Sequence, residues 1–382
     1  MIRIAILGYD YLANNGIANA SRAFAEALAS YGYNVHMISF KSFRTNAPRY
    51  TQTNGVNIHR LKLIGKINKL IYKALPNLYF RLIPLYFIAV LRKIKPHFII
   101  GPLIYYWGNV AANCKKYIKT KSITIGHGED VNQLDNDVVK QQLTILSLHK
   151  NDIIITTNSD FQETLSKFTS KKIYLLPNPL PEAHIRIDFT KKLQNSPFRI
   201  ICVGRLATDN QGYEIKGFTI AIEAMALLNN CHLDIIGDGP LYANYMEMIV
   251  RKNLVNSITL HKQRSRLDVL RIMSCANVLV IPSNIEGLSM VMIEGLQCAL
   301  PVIATNIGGA KDYIVSGYNG FLIKKGDFQD LAAKIKILQN DRSLLAEMSQ
   351  NAKKTYLEYF TPERVVRRFE DIIKETCLCE KR

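Results

Sequence analysis

Short runs of β-branched and other apolar residues alternate with longer segments of helical periodicity along the whole chain. Parallel strands need a crossover of a dozen or more residues between them, so this alternation predicts parallel sheets covered by helices. The predicted strands form two series, at residues 3–7, 34–39, 97–101, 122–126 and 153–157, and at residues 199–203, 232–236, 257–260, 278–281, 301–305 and 320–323. We therefore expect an α/β protein with two doubly wound sheets.

The stretch between the two series is rich in proline and polar residues, which is typical of a linker or hinge. We accordingly predict an N-terminal domain at residues 1–180, a linker at 181–197 and a second domain at 198–360. Residues 361–382 are predicted to form a helix that crosses back to the N-terminal domain. A length of 382 residues suits two domains with full hydrophobic cores.

Seven cysteines are scattered along the chain, mostly in apolar segments, as is typical of reduced cysteines in a cytosolic protein. The apolar run at the N-terminus is too short for a signal peptide. The longest weakly charged stretch, residues 96–114, contains Pro, Gly and Asn and is predicted to form a strand, a turn and a helix rather than a membrane span. The expected location is cytoplasmic.

The net charge of +18 is unevenly distributed. Residues 1–185 contain 23 Lys and Arg against 10 Asp and Glu, a net charge of +13, and no acidic residue occurs between Glu26 and Glu129. Four lysines in this window recur at helical spacing beside apolar residues: Lys62, Lys66, Lys69 and Lys73. A basic amphipathic segment favours contact with an anionic membrane surface, although a solvated basic face over an ordinary core would have the same pattern.

The segment at residues 281–309 predicts an anion site. An apolar strand ends there, a loop carries Glu286 and Gly287, and a helix begins near Ser289 and Met290. Free N–H groups at such a helix N-terminus bind phosphate, and carboxylates accept hydrogen bonds from hydroxyls. Because Glu294 follows Glu286 by a little over two helical turns, both carboxylates can face one ligand that carries phosphates and sugars. The alternative is that both glutamates are solvated or cap the helix.

Arg205 follows another predicted strand, at the carboxyl end where open α/β sheets bind ligands, and Lys216 is predicted to open the next helix. Together they could neutralise a diphosphate and stabilise its charge as it leaves. In the first half, Gly16 near a helix start could allow a phosphate to approach, and His127 between two glycines could bind a sugar hydroxyl or assist proton transfer. Each of these residue types is also common in purely structural positions.

With these motifs assembled, the chain resembles the GT-B glycosyltransferases of family 4, the glycosyl transferases group 1. The resemblance is carried by EGLSMVMIE, by the following LPVIATNIGGAKDYIVSGYNGFLI, by VGRL leading to KG, and by IIGDGPL. It implies two Rossmann-like domains facing an interdomain cleft. The N-terminal domain would bind the acceptor and the C-terminal domain the nucleotide-sugar donor, and transfer would retain the anomeric configuration.

The resemblance also implies roles for individual residues. Arg205 and Lys216 would bind the donor diphosphate, Glu294 the ribose, and His127 would lie at the sugar or reacting centre. Gly16 would approach the phosphates. Glu286 would bind the transferred sugar together with the backbone of Gly287, Leu288, Ser289 and Met290. No cofactor and no metal are expected.

The predicted activity is transfer of a sugar to a lipid-linked or glycan acceptor, in the synthesis of cell-surface polysaccharide, lipopolysaccharide or glycolipid at the inner face of the membrane. Three alternatives stay open. Asp135-Asn136-Asp137 could indicate a metal-dependent glycosyltransferase, although its context is that of a helix cap. The basic charge could indicate a nucleic-acid-binding or membrane-binding protein without transferase activity. A nicotinamide oxidoreductase would share the sheets, but its glycine fingerprint is missing from this sequence.

Overall fold

The structure is a computed structural model that describes residues 1–13, 15–41, 47–62, 75–128, 130–132, 134, 137–183, 194, 196–209 and 211–379. It divides into two compact units, Met1–Pro181 with Pro362–Arg382, and Glu182–Thr361. Most of the predicted linker lies outside the described residues, as do Lys66, Lys69 and Lys73 of the predicted amphipathic segment.

The first unit contains an eight-stranded sheet. Its strands are β1 (Arg3–Gly8), β2 (Asn34–Phe40), β3 (Tyr50–Thr53), β4 (Val56–Leu61), β5 (Phe98–Pro102), β6 (Lys121–Gly126), β7 (Ile153–Thr156) and β8 (Ile173–Leu175). Their spatial order is β3-β4-β2-β1-β5-β6-β7-β8, and all neighbours are parallel except β3 and β4. The five predicted strands are confirmed to within one residue at each end.

The β3–β4 hairpin was not predicted, although the sequence contains a signal for it. Asn54 and Gly55 connect the two strands and both have positive φ, 48° and 76°. Asn-Gly between two short runs that contain β-branched and aromatic residues favours the two-residue turns that match the twist of a hairpin. The strand β8 was also missed, because three residues are too few to show an alternating pattern.

Helices cover this sheet. They are α1 (Gly16–Ser30), α2 (Pro76–Leu82), α3 (Leu85–Ile94), a π-helix (Ile104–Gly108), α4 (Asn109–Cys114), α5 (Val138–Lys150) and α6 (Ser159–Ser166), with α14 (Pro362–Cys379) from the end of the chain. Residues 96–114 thus form a strand and helical turns, as predicted. In the first unit Phe369 of α14 packs edge-on against Phe24 of α1, with ring centroids 5.2 Å apart.

The second unit contains a six-stranded parallel sheet. Its strands are β9 (Phe198–Val203), β10 (Cys231–Ile236), β11 (Ile258–His261), β12 (Val278–Ile281), β13 (Val302–Thr305) and β14 (Gly320–Ile323), in the order β11-β10-β9-β12-β13-β14. All six were predicted to within one residue at each end. The helices are α7 (Phe218–Met225), α8 (Tyr242–Arg251), α9 (Arg266–Cys275), α10 (Met290–Gln297), α11 (Gly308–Tyr313), α12 (Phe328–Asn340) and α13 (Arg342–Tyr359).

Both faces of the first sheet are buried. Successive side chains of its central strand point to opposite sides, so this strand contributes to a core on each face. Ile4 and Ile6 of β1 lie in one hydrophobic core, and Ala5 and Leu7 lie in another on the opposite face. A strand buried on both faces needs a continuous apolar run, which is the pattern that identified these strands in the sequence. No helix in the described part of the chain is long and apolar enough to cross a bilayer.

The first strand of each unit is central in its sheet. From β9 the chain adds β10 and β11 on one side, and β12 then lies on the other side of β9. In the first unit β2 and β5 flank β1 in the same way. The order of the strands reverses at these points, and open α/β sheets bind ligands beyond the carboxyl ends of the strands there.

Candidate active site

Two predicted loops flank the reversal point of the second sheet. Arg205 is exposed just beyond the end of β9, and Glu286 lies in the loop that follows β12. The two strands are direct neighbours, with Ile201 opposite Leu279. The sheet topology therefore brings the carboxyl-end loops of these strands to one edge, although 80 residues separate them in the sequence.

The loop after β12 is fastened to the segment that precedes α7. The Asn284 backbone N–H donates to the Ile215 carbonyl at 2.9 Å, and the Asn284 side-chain amide donates to the Glu214 carbonyl at 2.8 Å. Gly217 has φ of +64°, and a Cβ there would lie 1.9 Å from the Pro282 carbonyl oxygen. Only glycine fits this contact, because a side chain would push the two loops apart.

The prediction that Lys216 opens the next helix is wrong by two residues. The helix α7 begins at Phe218, with Gly217 as a left-handed N-cap. Gly217 takes this left-handed conformation against the Pro282 carbonyl, and the helix starts at the residue after it. Lys216 therefore lies in a bend of the connecting chain, and its stem runs beside Gly204, where a Cβ would be only 3.1 Å from Lys216 Cγ.

Lys216 and Glu286 form an ion pair at this edge. The distance from Lys216 Nζ to Glu286 Oε2 is 2.6 Å, and the Ser283 hydroxyl donates to the same oxygen at 3.1 Å. The side chains of Lys216 and Glu286 are 22% and 13% exposed, so both are shielded from bulk water. Sequence reasoning placed Lys216 on phosphate and Glu286 on sugar, and the structure shows the two charges neutralising each other.

The helix α10 begins four residues after Glu286. Ser289 is its N-cap, and its hydroxyl accepts from the Met292 N–H, while Met290 is the first helical residue. The loop before the cap is supported from the next connection, since the Gly309 N–H donates to the Gly287 carbonyl at 2.8 Å. The buried Leu288 side chain packs at Gly309, where a Cβ would lie 2.5 Å from Leu288 Cδ1. The start of α10 is thereby fixed in position.

Glu294 lies one turn into α10 and has a different partner from Glu286. Its Oε1 accepts from Arg266 Nε at 2.8 Å. Burial raises the pKa of Glu294, and the neighbouring Arg266 guanidinium opposes that rise. The sequence placed the two glutamates on one ligand without predicting Arg266, which is the first residue of α9.

In the first unit, Gly16 and His127 follow β1 and β6. Gly16 is the first residue of α1, and the Asn15 side chain caps the helix by accepting from the Ala18 N–H at 2.9 Å. Apart from its chain neighbours and its own helix backbone, no atom of the described residues lies within 4 Å of the position that a Cβ on Gly16 would take. The protein interior therefore does not require glycine here, and the backbone of this turn is open to a ligand.

His127 is held by a buried carboxylate. Asp130 Oδ1 accepts from the backbone N–H groups of His127 at 3.0 Å and Gly128 at 2.9 Å, and Oδ2 accepts from the Ile104 N–H at 2.9 Å. Both imidazole nitrogens are buried, and neither has a hydrogen-bond partner among the described residues. Burial lowers the pKa of His127 while Asp130 opposes the change, so the ring is neutral at neutral pH.

Three contributing residues were missed by sequence reasoning: Ser283, Arg266 and Asp130. Asp130 follows two glycines at a strand end, where a short acidic side chain commonly accepts local backbone N–H groups, so a signal existed. Nothing in the sequence pattern distinguished Ser283 or Arg266 from ordinary loop and helix residues.

The motif considered as a metal site is only partly described. Asp137 caps α5 by accepting from the Lys140 N–H at 2.9 Å, as its sequence context predicted, and Asp135 and Asn136 lie outside the described residues. Across the residues that the structure describes, no three His, Cys, Asp or Glu side chains are grouped as metal ligands would be.

The edge of the second sheet thus combines cations, carboxylates and a helix N-terminus. Arg205, Lys216 and the first turn of α10 can hold phosphate oxygens, because they offer positive charge and backbone N–H groups at a helix N-terminus. Glu286 and Glu294 can accept from sugar hydroxyls. This chemistry suits a ligand with a diphosphate between two sugar rings.

Residues 185–355 match the family described as Glycosyl transferases group 1. An uncharacterised glycosyltransferase of Methanocaldococcus jannaschii is 36% identical over 151 residues, 40% of this chain and 42% of that protein. The capsular polysaccharide biosynthesis glycosyltransferase CapM of Staphylococcus aureus is 34% identical over 178 residues, 45% of this chain and 44% of that protein. Each of these alignments spans less than half of the relative.

Solved structures match over the whole chain. Sucrose-phosphate synthase of Thermosynechococcus elongatus has a TM-score of 0.81 at 20% identity, covering 99% of this chain and 100% of that one. Anabaena HepE in complex with UDP has a TM-score of 0.78 at 16% identity, covering 98% and 100%. At such identities the likeness concerns the fold, which is the GT-B fold expected from the sequence. The match to the glycosyl transferases group 1 family falls within the second unit, Glu182–Thr361.

Proposed function

We propose that this protein is a retaining, metal-independent glycosyltransferase that moves a hexose from a nucleotide diphosphate sugar to a lipid-linked or glycan acceptor. The proposal rests on one observation above all, the Lys216–Glu286 pair in front of the α10 N-terminus at the reversal point of the second sheet. The structural neighbour HepE in complex with UDP, and CapM, whose name links it to capsular polysaccharide, support the donor and acceptor classes.

The proposed chemistry is mainly electrostatic. Breaking the bond between sugar and phosphate leaves negative charge on the departing diphosphate, and fixed cations stabilise that charge. Donor phosphates would compete with Glu286 for Lys216, and the released carboxylate would accept from hydroxyls of the transferred sugar. Arg205 and the first turn of α10 would bind the remaining phosphate oxygens. In the first unit, the neutral His127 would contact the sugar and Gly16 would approach the phosphates.

The acceptor side is proposed to work at the inner face of a membrane. Four exposed leucines, 42–57% accessible, follow one another at spacings of three, four and three residues: Leu75, Leu78, Leu82 and Leu85. Ile83 and Pro84 keep right-handed helical angles between α2 and α3, so the spacing stays helical across the junction. Exposed Arg81, Arg92 and Lys93 lie on the same two helices, in the window without acidic residues. An anionic bilayer complements such a surface.

Donor binding is tested first by thermal shift of the full chain with UDP, GDP and ADP, followed by the corresponding nucleotide sugars, since a ligand that binds only the folded state raises Tm. Lys216→Ala and Glu294→Ala should each weaken binding of the active nucleotide about ten- to hundredfold, the loss of one charged hydrogen bond. Lys252→Ala, which removes an ion pair to Glu223 elsewhere in the same unit, is the control. Full affinity and turnover in both site variants would refute the assignment.

A further inference from the structure

We propose that Arg266 is a positioning residue of this site. It fixes one oxygen of the Glu294 carboxylate and thereby presents the other to the ribose hydroxyls of the nucleotide. The inference rests on the proposed function, which makes Glu294 the ribose-binding group. It adds a residue that neither the sequence motifs nor the family resemblance assigned.

The two oxygens of the Glu294 carboxylate have different surroundings. Arg266 Nε lies 2.8 Å from Glu294 Oε1, whereas Oε2 has no hydrogen-bond partner among the described residues. The Glu294 side chain is only 13% exposed, and that of Arg266 is 54% exposed. A carboxylate that is hydrogen-bonded through one oxygen cannot rotate freely, so its other oxygen is already oriented before the nucleotide binds.

The position of Arg266 in the fold explains why it can do this. It is the first residue of α9, directly after the N-cap Ser265, and α9 follows β11 at the carboxyl edge of the sheet. Glu294 reaches the same edge from α10, which packs against α9. Two adjacent crossover helices thus bring the pair together, although 28 residues separate Arg266 from Glu294 in the sequence.

Arg266 also stabilises the charged form of the Glu294 carboxylate. Burial raises the pKa of Glu294 and Arg266 lowers it. On α13, the Tyr356 hydroxyl accepts a hydrogen bond from the Gln297 side-chain amide. Burial raises the pKa of Tyr356 to about 12, so its phenol stays neutral. Lys353 on the same helix is paired with Glu182 at 2.6 Å. Removing Arg266 therefore leaves a buried carboxylate that protonates more readily.

The test measures the Kd of the active nucleoside diphosphate and of its 2′,3′-dideoxy analogue. Arg266→Gln should weaken the parent nucleotide about tenfold and leave the analogue unchanged, because the lost contact acts on the ribose hydroxyls. Glu294→Gln should show the same selectivity, and the double variant should be no weaker than Glu294→Gln alone. Arg266→Lys should restore part of the affinity.

Arg271→Gln is the matched control, since Arg271 lies on the same helix and pairs with Asp268 at 3.3 Å instead. In Arg266→Gln, affinity for the parent nucleotide should also begin to fall at a higher pH than in the wild type. Equal weakening of parent and analogue, or additive effects in the double variant, would overturn the inference. Failure of the wild type to bind any nucleotide would instead overturn the proposed function.

Discussion

Several polar side chains are held in pairs whose ionisation depends on burial. His36 Nδ1 and His59 Nε2 are 3.0 Å apart in the first unit, so one ring must donate and the other accept. Burial, followed by the nearby His59 and Arg3, lowers the pKa of His36 to about 4, and burial and Lys93 lower that of His59. The folded protein therefore resists protonation of a pair that the unfolded chain accepts near pH 6.5.

This pair predicts a defined loss of stability in mild acid. The stabilisation from neutral His36 is fully present above pH 6.5 and is lost as the pH falls from about 6.5 towards about 4, because the unfolded chain binds the proton first. After allowance for screening of a half-buried ring, the effect is about 1–2 kcal/mol. Urea unfolding at a series of pH values should show a flatter pH dependence in His36→Asn than in the wild type.

His149→Gln provides the comparison, because His149 is exposed on α5. The free energy of unfolding of His149→Gln should depend on pH in the same way as that of the wild type. Equal slopes for all three proteins between pH 6.5 and pH 4 would contradict the role given to the histidine pair.

Among the elements, α2 and α3 present an apolar row that the described residues of the unit leave exposed. Three of the exposed leucines proposed to meet the membrane lie on these helices and Leu75 directly precedes α2, while buried Phe80, Phe87 and Leu91 of the same helices belong to a hydrophobic core. Burying a leucine side chain contributes roughly 1.5–3 kcal/mol of favourable free energy. Partial insertion of even two leucines into a bilayer should therefore change the binding free energy measurably.

Leu78→Ser with Leu82→Ser should therefore reduce binding to vesicles of phosphatidylglycerol and phosphatidylcholine by at least about tenfold. Flotation of the full chain with such vesicles measures this. Binding should also fall with added NaCl and be weak to pure phosphatidylcholine, because the attraction is partly electrostatic.

Leu227→Ser with Leu267→Ser changes two exposed leucines of the second unit and should leave flotation unaltered. Wild-type flotation that is unaffected by the α2 substitutions would show that this row does not enter the bilayer. Self-association that disappears with the same substitutions, in place of vesicle binding, would identify a second copy of the chain as its partner.

Elements differ in how far the sequence predicts them. The eleven predicted strands are found because strands buried on both faces need continuous apolar runs. The predicted start of α7 is two residues early, since the chain before the helix is left-handed at Gly217, which packs closely against Pro282, 65 residues away in sequence. Local pattern carries no information about such a contact.

At the scale of the whole molecule, the end of the chain completes the unit formed by its beginning. The α14 helix places Val365, Phe369 and Ile372 in the core that also contains Phe24 of α1. The cores of the two units contain no residue in common. Loss of a buried α14 side chain should therefore act on the first unit.

Phe369→Ala removes a fully buried ring and should destabilise the first unit by about 3–5 kcal/mol. Hydrogen exchange should accelerate in α1 and β1 and change little in β9 and β10. Arg368→Ala, an exposed position on the same helix, is expected to leave both regions unchanged. Equal acceleration in both units would contradict the division at Thr361.

Local periodicity and motifs a few residues long are enough to predict the two sheets, their strands and the residues proposed to bind a phosphate and sugar ligand. Which charged side chains form pairs depends instead on how the strands and helices are arranged in space. Lys216 lies beside Glu286 and Arg266 beside Glu294 only because β9 and β12 are neighbours and α9 packs on α10. Such pairings depend on the order of strands in the sheet, which no local pattern of residues encodes.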